Sequence, residues 1–246
     1  MARHTPPRPV AVAELFPQLK PLGRQALRLH PRTGVPSYEN SSFGGPLRWP
    51  ADEPWPSCAE EHYAKDAADV RRVLASPPRS ADAPQGHVPV PCVVHPEQVM
   101  EYPHGYEMPD DLHNTIDGQL DGLKEATGWD YYYHLSVAPG TKVGGYPNGL
   151  IAATRWFACE RCGGPVEHLL SVRHEEFDGE SWRTWLPVED RPDDDGGPLY
   201  FRNHRFQRAA ATKNPHGLEV GGGGDVYIFE CRSCPDRPTQ TLFHLN

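Results

Sequence analysis

"WFACERCGGPVEHLL", residues 156–170, sets a Cys-x-x-Cys pair between two strand-like runs. The same layout returns as "YIFECRSCPDRPTQTLFHL", residues 227–245. Two residues between a pair of cysteines let both sulfurs leave a tight turn in the same direction, and two such pairs supply the four ligands of a tetrahedral zinc ion. The spacing therefore predicts one closed zinc site, whose ligands are Cys159, Cys162, Cys231 and Cys234.

The residues around each pair fit a β-hairpin turn of the zinc-knuckle kind. Gly163 follows the first pair, where glycine accommodates a positive φ and leaves backbone N–H groups to bond sulfur. The 68 residues between the two pairs exceed the usual interval of a zinc ribbon. Because loop closure costs entropy only logarithmically with length, we expect one ion to tie two distant hairpins together. A closed four-cysteine site has no open position, so it stabilises rather than catalyses.

Other uses of the cysteines stay open on the sequence. A thiol redox protein would place Cys-x-x-Cys at the start of a helix, whereas strand-like sequence follows each pair here. Four unrelated buried thiols are another alternative, because cysteine is commonly buried. A second metal site is also conceivable, against the simpler interpretation of a buried strand cysteine and a solvated histidine; its four ligands would be Cys58, His62, Cys92 and His95.

Composition narrows the functional classes. The chain has 246 residues, 37% of them hydrophobic, which is enough for a sizeable core, and a net charge of −9. This acidity argues against nucleic acids and anionic membranes as partners, because both are bound mainly through lysine and arginine, and it suits a basic protein. The sequence shows neither a signal peptide nor a membrane span, so we expect a cytoplasmic protein with reduced thiols.

The chain pattern predicts an α+β, mostly β, single domain. The 28 prolines and 23 glycines favour short strands joined by turns. Periodicity and breakers predict a broken helix over residues 10–30 and helices over 66–76 and 108–128. Strands are predicted over residues 87–94, 131–137, 150–158, 165–173, 225–230 and 240–245. "FGGPLRWP" from Phe43 and "KVGGYPNG" from Lys142 share a Gly-Gly pattern, which indicates either an internal pseudo-duplication or a coincidence.

The remaining polar candidates are weak. His134 follows three tyrosines, and a histidine in such a place is either a general base or, more commonly, a buried histidine with its hydrogen bonds satisfied. "HEEFDGE", residues 174–180, does not match a calcium loop and is predicted to be a solvated acidic turn. No nucleophile elbow, zinc-protease helix, phosphate loop or dinucleotide fingerprint appears. Four tryptophans near Gly/Pro loops belong either to a recognition cleft or to the core: Trp49, Trp55, Trp129 and Trp156.

Five segments, in this order, together resemble the bacterial YwqG-like family: "SSFGGPLRWPADEPWPSC", "HVPVPCVVHPEQVMEYP", "HLSVAPGTKVGGYPNG", "CERCGGPVEHLLSV" and "VYIFECRSCP". The resemblance covers residues 26–246 and implies one mostly β domain with an internal pseudo-duplication, preceded by a partly disordered or helical segment over residues 1–25. Members resemble cytoplasmic proteins encoded near secreted toxin systems, which implies a partner-binding or immunity-type role. The family supplies no catalytic residues, and "KVGGYPNG" departs from its more usual Gly-Gly-Trp-Pro-x-Trp.

The leading hypothesis is thus a non-enzymatic, cytoplasmic, protein-binding scaffold with a structural zinc ion, whose partner is a protein such as a toxin. The alternative is a small-molecule-binding or hydrolytic enzyme with a cleft between the pseudo-repeats and His134 or His95 as base. Thiol redox activity is a weaker alternative.

Overall fold

The structure is a computed structural model that describes residues 2–37, 40–44, 89–147, 157–177, 180–191, 212–218 and 224–244. Within these ranges the fold is α+β and mostly β, as the sequence predicts, with a six-stranded and a three-stranded antiparallel sheet. The internal pseudo-duplication stays a prediction, because both Gly-Gly segments continue into residues outside the described ranges.

The strands of the larger sheet follow the order β5-β1-β6-β7-β8-β9, and those of the smaller sheet follow β2-β4-β3. Their bounds are β1 (Arg24–Arg28), β2 (Arg32–Thr33), β3 (Ser42–Phe43), β4 (Cys92–Val93), β5 (Glu97–Glu101), β6 (Lys142–Gly144), β7 (Glu167–Val172), β8 (Asp225–Glu230) and β9 (Thr239–His244). The strand predictions for β7, β8 and β9 are confirmed to within two residues at each end. The short β4 lies inside the strand predicted over residues 87–94. The helix predicted over residues 66–76 and nearly all of the strand predicted over residues 150–158 lie outside the described residues.

The helices are α1 (Val12–Leu15), α2 (Asp110–Thr127) and α3 (Trp182–Trp185), with 3-10 turns at Pro17–Leu22, Gly105–Glu107 and Val188–Asp190 and a π-helical turn at Tyr131–Leu135. Helix α2 confirms its prediction: it begins with two aspartates and ends at Gly128, which adopts φ 73°. Its buried Ile116 and Leu120 pack in one core cluster with Phe16 and Leu19. No helix among the described residues is both long enough and apolar enough to span a membrane.

Two element predictions are wrong. The broken helix predicted over residues 10–30 stops at Leu22, because Arg24–Arg28 pair with both β5 and β6 as a central strand. The strand predicted over residues 131–137 is a π-helical turn, in which Ser136 N–H donates to the Tyr131 carbonyl. The Asp130 carboxylate caps this turn, and the turn buries Tyr131 and Leu135 against α2, which outweighs the β propensity of the tyrosines.

Sheet register decides where the two Cys-x-x-Cys turns lie. The first turn precedes β7, and the second joins β8 to β9. Strands β7 and β8 are antiparallel with Glu167 opposite Glu230, so the start of β7 and the end of β8 meet at the same end of the sheet. Both cysteine pairs therefore project from neighbouring strand ends.

Candidate metal centre

The first cysteine turn is closed by its own backbone. Cys159 N–H donates to the Gly164 carbonyl at 2.8 Å, and Gly163 N–H donates to the Cys159 carbonyl at 2.8 Å. Gly163 adopts φ 68°, the left-handed conformation expected for the glycine after the second cysteine. Gly164 N–H lies 3.4 Å from the Cys162 sulfur. The turn thus supplies a backbone donor to one of its two sulfurs.

The second turn is longer but is also closed by its own backbone. Cys231 N–H donates to the Pro238 carbonyl, and Arg237 N–H donates to the Cys234 carbonyl, each at 3.0 Å. Arg237, just before the closing Pro238, is in the left-handed region with φ 46°.

The four predicted ligands come together. All four sulfurs lie within 4.8 Å of one another. Cys159 Sγ is 4.0 Å from Cys234 Sγ, and Cys162 Sγ is 3.6 Å from Cys231 Sγ. A tetrahedral ion with metal–sulfur bonds of about 2.3 Å requires sulfurs about 3.8 Å apart, which these two distances bracket. The residues therefore fit a single tetrahedral metal ion.

The environment of the sulfurs suits a cation. Cys159, Cys231 and Cys234 are buried, while Cys162 is exposed. A backbone hydrogen bond from Cys162 lowers the pKa of the Cys159 thiol to about 7, whereas burial raises the pKa of Cys234 to about 12. Four thiolates this close repel one another, so a bound divalent cation is needed for all of them to ionise together.

Ion pairs connect the surroundings of the two turns. Arg161 in the first turn pairs with Asp236 in the second. Arg232 in the second turn pairs with Glu167 of β7 at 3.0 Å. These pairs are exposed and add little stability by themselves, but they orient the turns toward each other. Gln240 on β9 also donates to the Ala158 carbonyl at 3.2 Å.

The second predicted metal site receives no support within the described residues. Cys58 and His62 lie outside them. Cys92 is a buried residue of β4 whose sulfur donates to the Pro215 carbonyl at 3.3 Å, and His95 N–H donates to the Leu29 carbonyl. The four-cysteine group is the one cluster of three or more potential ligands that the described part of the chain contains.

His134, the candidate general base, is a buried residue that is hydrogen-bonded to the backbone. Its ring is 2% exposed, and its Nδ1 accepts the Asp130 N–H at 2.8 Å. Burial lowers the pKa of this histidine. Trp129 packs edge-on against the imidazole and beside the α2 core cluster, while Trp49, Trp55 and Trp156 lie outside the described residues.

The solvated acidic turn predicted at "HEEFDGE" is wrong for Glu176. Its carboxylate is buried and accepts the Thr141 N–H at 3.1 Å, and burial raises its pKa.

Sequence reasoning also missed the ion pair of Glu101 and Lys142, whose side chains are fully buried with Nζ 2.5 Å from Oε1. The signal for Glu101 was the alternation in "EQVME", where Glu97, Val99 and Glu101 share one face of a strand.

No known protein-family model, curated protein or solved structure matches this chain.

Proposed function

We propose that the protein is a non-enzymatic, cytoplasmic binding scaffold of the YwqG-like family, in which a structural zinc ion holds the β7 and β8–β9 turns together. The observation that carries this proposal is the convergence of four cysteine sulfurs, from turns far apart in sequence, within 4.8 Å. The ion would be held by Cys159, Cys162, Cys231 and Cys234. It would supply the positive charge that keeps four adjacent thiolates stable.

Zinc is favoured by the donor set and by the closed site. Four cysteine thiolates in tetrahedral array select zinc or iron among the common metals, and zinc is the usual ion between two cysteine turns on strands. With four protein ligands, no coordination position is left for a substrate. The role that this geometry supports is to fix one end of the sheet.

The arrangement of the sulfurs is less suited to thiol redox chemistry. Neither pair stands at the start of a helix, where the helix dipole would activate a thiolate. The sulfurs at 3.6 and 4.0 Å belong to different turns, so the cluster works as one unit of four rather than as two redox pairs.

A basic protein is the partner class that the charge supports. With a net charge of −9, the surface attracts a cationic partner over long range and repels nucleic acid and anionic membranes. A secreted basic toxin bound by its immunity protein is one such case.

Elemental analysis of the purified, untagged protein tests the metal. We expect about one zinc per chain, lost in Cys159→Ser and in Cys234→Ser and retained in the matched control Cys92→Ala, which removes a buried thiol outside the cluster. Iron in place of zinc, or zinc retained in both serine variants, would refute the proposed site.

Affinity capture from native lysate tests the binding role. We expect wild-type protein to retain a stoichiometric basic protein that elutes at raised salt, because the attraction is largely electrostatic. Recovery of no protein partner, together with tight binding of a small molecule, would favour the enzyme alternative instead.

A further inference from the structure

A groove of about 510 Å³ lies at the edge of the larger sheet opposite the metal centre. One wall is the N-terminal segment, residues 5–14, and the other is strand β5 with Tyr102 and Trp185. In the sheet order β5 is the first strand, and β8 and β9, which carry the second cysteine turn, are the last two. The groove has the volume of an ordinary ligand site.

The β5 side of the groove presents hydrogen-bonding groups of the backbone. Within the described residues β5 pairs with β1 only. The Met100 carbonyl accepts a hydrogen bond from the Arg8 guanidinium, and the Tyr102 N–H donates to the Ser136 carbonyl. Neither partner belongs to β1, so the even-numbered residues along β5 direct their backbone groups away from β1. By this alternation the N–H and carbonyl of Gln98 and the N–H of Met100 face the groove.

The N-terminal wall runs beside this edge and does not pair with it as a strand. Residues 5–9 read "TPPRP", and each proline lacks the N–H that a ladder needs. The segment is attached through side chains instead. Thr5 donates to the Glu97 carboxylate from its N–H and from its hydroxyl, each at 2.6 Å, and Arg8 donates to the Met100 carbonyl.

The Arg8 guanidinium on the groove wall has no acidic partner in the described part of the chain. The Arg8 guanidinium lies 5.1 Å from the ring centroids of both Tyr102 and Trp185, and it forms no ion pair with a carboxylate of the described residues. The acids of β5 are already engaged, Glu101 by Lys142 and Glu97 by Thr5 and His30.

Arg8 therefore has carbonyl acceptors but no carboxylate partner among the described residues of the groove wall. A partly buried cation without an anion beside it indicates a ligand that brings negative charge.

We propose that the groove binds the C-terminal residues of a partner protein as an extended strand against β5, with the terminal carboxylate on Arg8. At the Met100 carbonyl, Arg8 takes the position that an N–H of an added strand would occupy. A strand that pairs with Gln98 therefore has to end beside the guanidinium, where a terminal carboxylate forms a charge-assisted hydrogen bond. The inference deepens the proposed function, because it rests on the protein-binding role and names the part of the partner that is recognised.

Fluorescence anisotropy on the full chain tests the proposal with two peptide pools. Both contain fluorescein-labelled pentapeptides randomised over Val, Ile, Thr, Leu and Phe, with a free C-terminal carboxylate in one pool and a C-terminal amide in the other. We expect the free acids to bind about tenfold or more tightly than the amides, as the loss of a charge-assisted hydrogen bond implies.

Two arginine variants locate the binding. Arg8→Gln should weaken free-acid binding about tenfold and leave the amide pool unchanged. Arg24→Gln is the matched control, because Arg24 also stacks on an aromatic ring, that of Tyr146 at 4.2 Å, but does not line the groove. Zinc content and thermal unfolding of both variants report whether the fold is intact.

Equal binding of acids and amides, or equal loss in the two arginine variants, would overturn the groove assignment. Equal binding of an amidated pool with one internal aspartate would overturn the terminal-carboxylate assignment. Capture of a partner by wild type and by Arg8→Gln alike would refute the groove while leaving the binding role intact. Failure of wild type to capture any partner counts against the proposed function itself.

Discussion

Glu101 explains why a glycine, Gly145, follows β6. Its carboxylate accepts N–H groups from Ala138 at 2.9 Å and Tyr146 at 2.8 Å, besides the Lys142 ammonium. The loop between Ala138 and Tyr146 thus folds around one buried charge. Gly145 adopts φ 67°, and a Cβ there would lie 2.2 Å from a Glu101 oxygen.

Gly145→Ala is expected to destabilise the protein by about 3 kcal/mol or more, because the added methyl group breaks a buried, hydrogen-bonded ion pair as well as straining φ. Gly144→Ala is the matched control. Gly144 has φ 71°, but its Cβ would meet only the Gln25 carbonyl at 3.5 Å, so strain alone costs about 1–2 kcal/mol. Urea unfolding of both variants measures the difference, and equal losses would show that Glu101 does not constrain this loop.

At the scale of elements, the cysteine turns are held by strand pairing and, as proposed, by an ion. Phe157, Tyr227 and Phe229 form a small core cluster, so strand β8 has apolar packing of its own. Three of the cysteines form a separate buried cluster together with Val166.

Hydrogen exchange is expected to separate these contributions. Removal of the proposed zinc ion by a chelator should speed amide exchange in residues 159–164 and 231–238, because the turns would lose the bonds that join them. Exchange in α2 should stay unchanged, since its core cluster contains no cysteine. Equal acceleration in the turns and in α2 would mean that the metal supports the whole fold rather than one end of the sheet.

At the scale of the whole molecule, polar side chains are buried along the larger sheet. Arg28, Lys142 and Ser171 lie opposite one another on β1, β6 and β7, and all three are buried. Two histidines belong to the same interior: burial lowers the pKa of His30 and of His168 to about 3 each. These rings stay neutral in the folded protein where the unfolded chain would protonate them.

Stability is therefore expected to fall in acid. Between pH 6.5 and 3, the unfolded state binds protons at His30 and His168 that the folded state does not bind. The free energy of unfolding therefore decreases as the pH decreases. The decrease is at most about 1.4 kcal/mol per pH unit for each histidine. His168→Gln should remove its part of this slope between pH 6 and 4, as measured by urea unfolding. His4→Gln is the control above pH 5, because the His4 pKa is raised by its hydrogen bond to Glu189 and His4 is charged in both states there. Below pH 5 this variant also changes the titration of Glu189, whose pKa the same bond lowers. An unchanged slope in His168→Gln would contradict the assignment.

The sequence by itself determined the two Cys-x-x-Cys turns, helix α2 and strands β7 to β9, because each follows from a local pattern: ligand spacing, helical periodicity with a glycine stop, and alternation between turns. It could not determine that Tyr131–Leu135 form a π-helical turn or that Arg24–Arg28 form a strand. In both segments burial and pairing with distant elements outweigh the local pattern.

Only the tertiary structure decided which charges are buried and which sulfurs meet. Glu101, Lys142 and Glu176 look like surface residues in the sequence, yet partners from other segments compensate the cost of burying them. The pairing of β7 with β8 places two turns, with 68 residues between their cysteines, at the same end of one sheet. Spacing can specify how each cysteine pair is formed, but sheet register, which depends on contacts along the whole strands, brings the two pairs together.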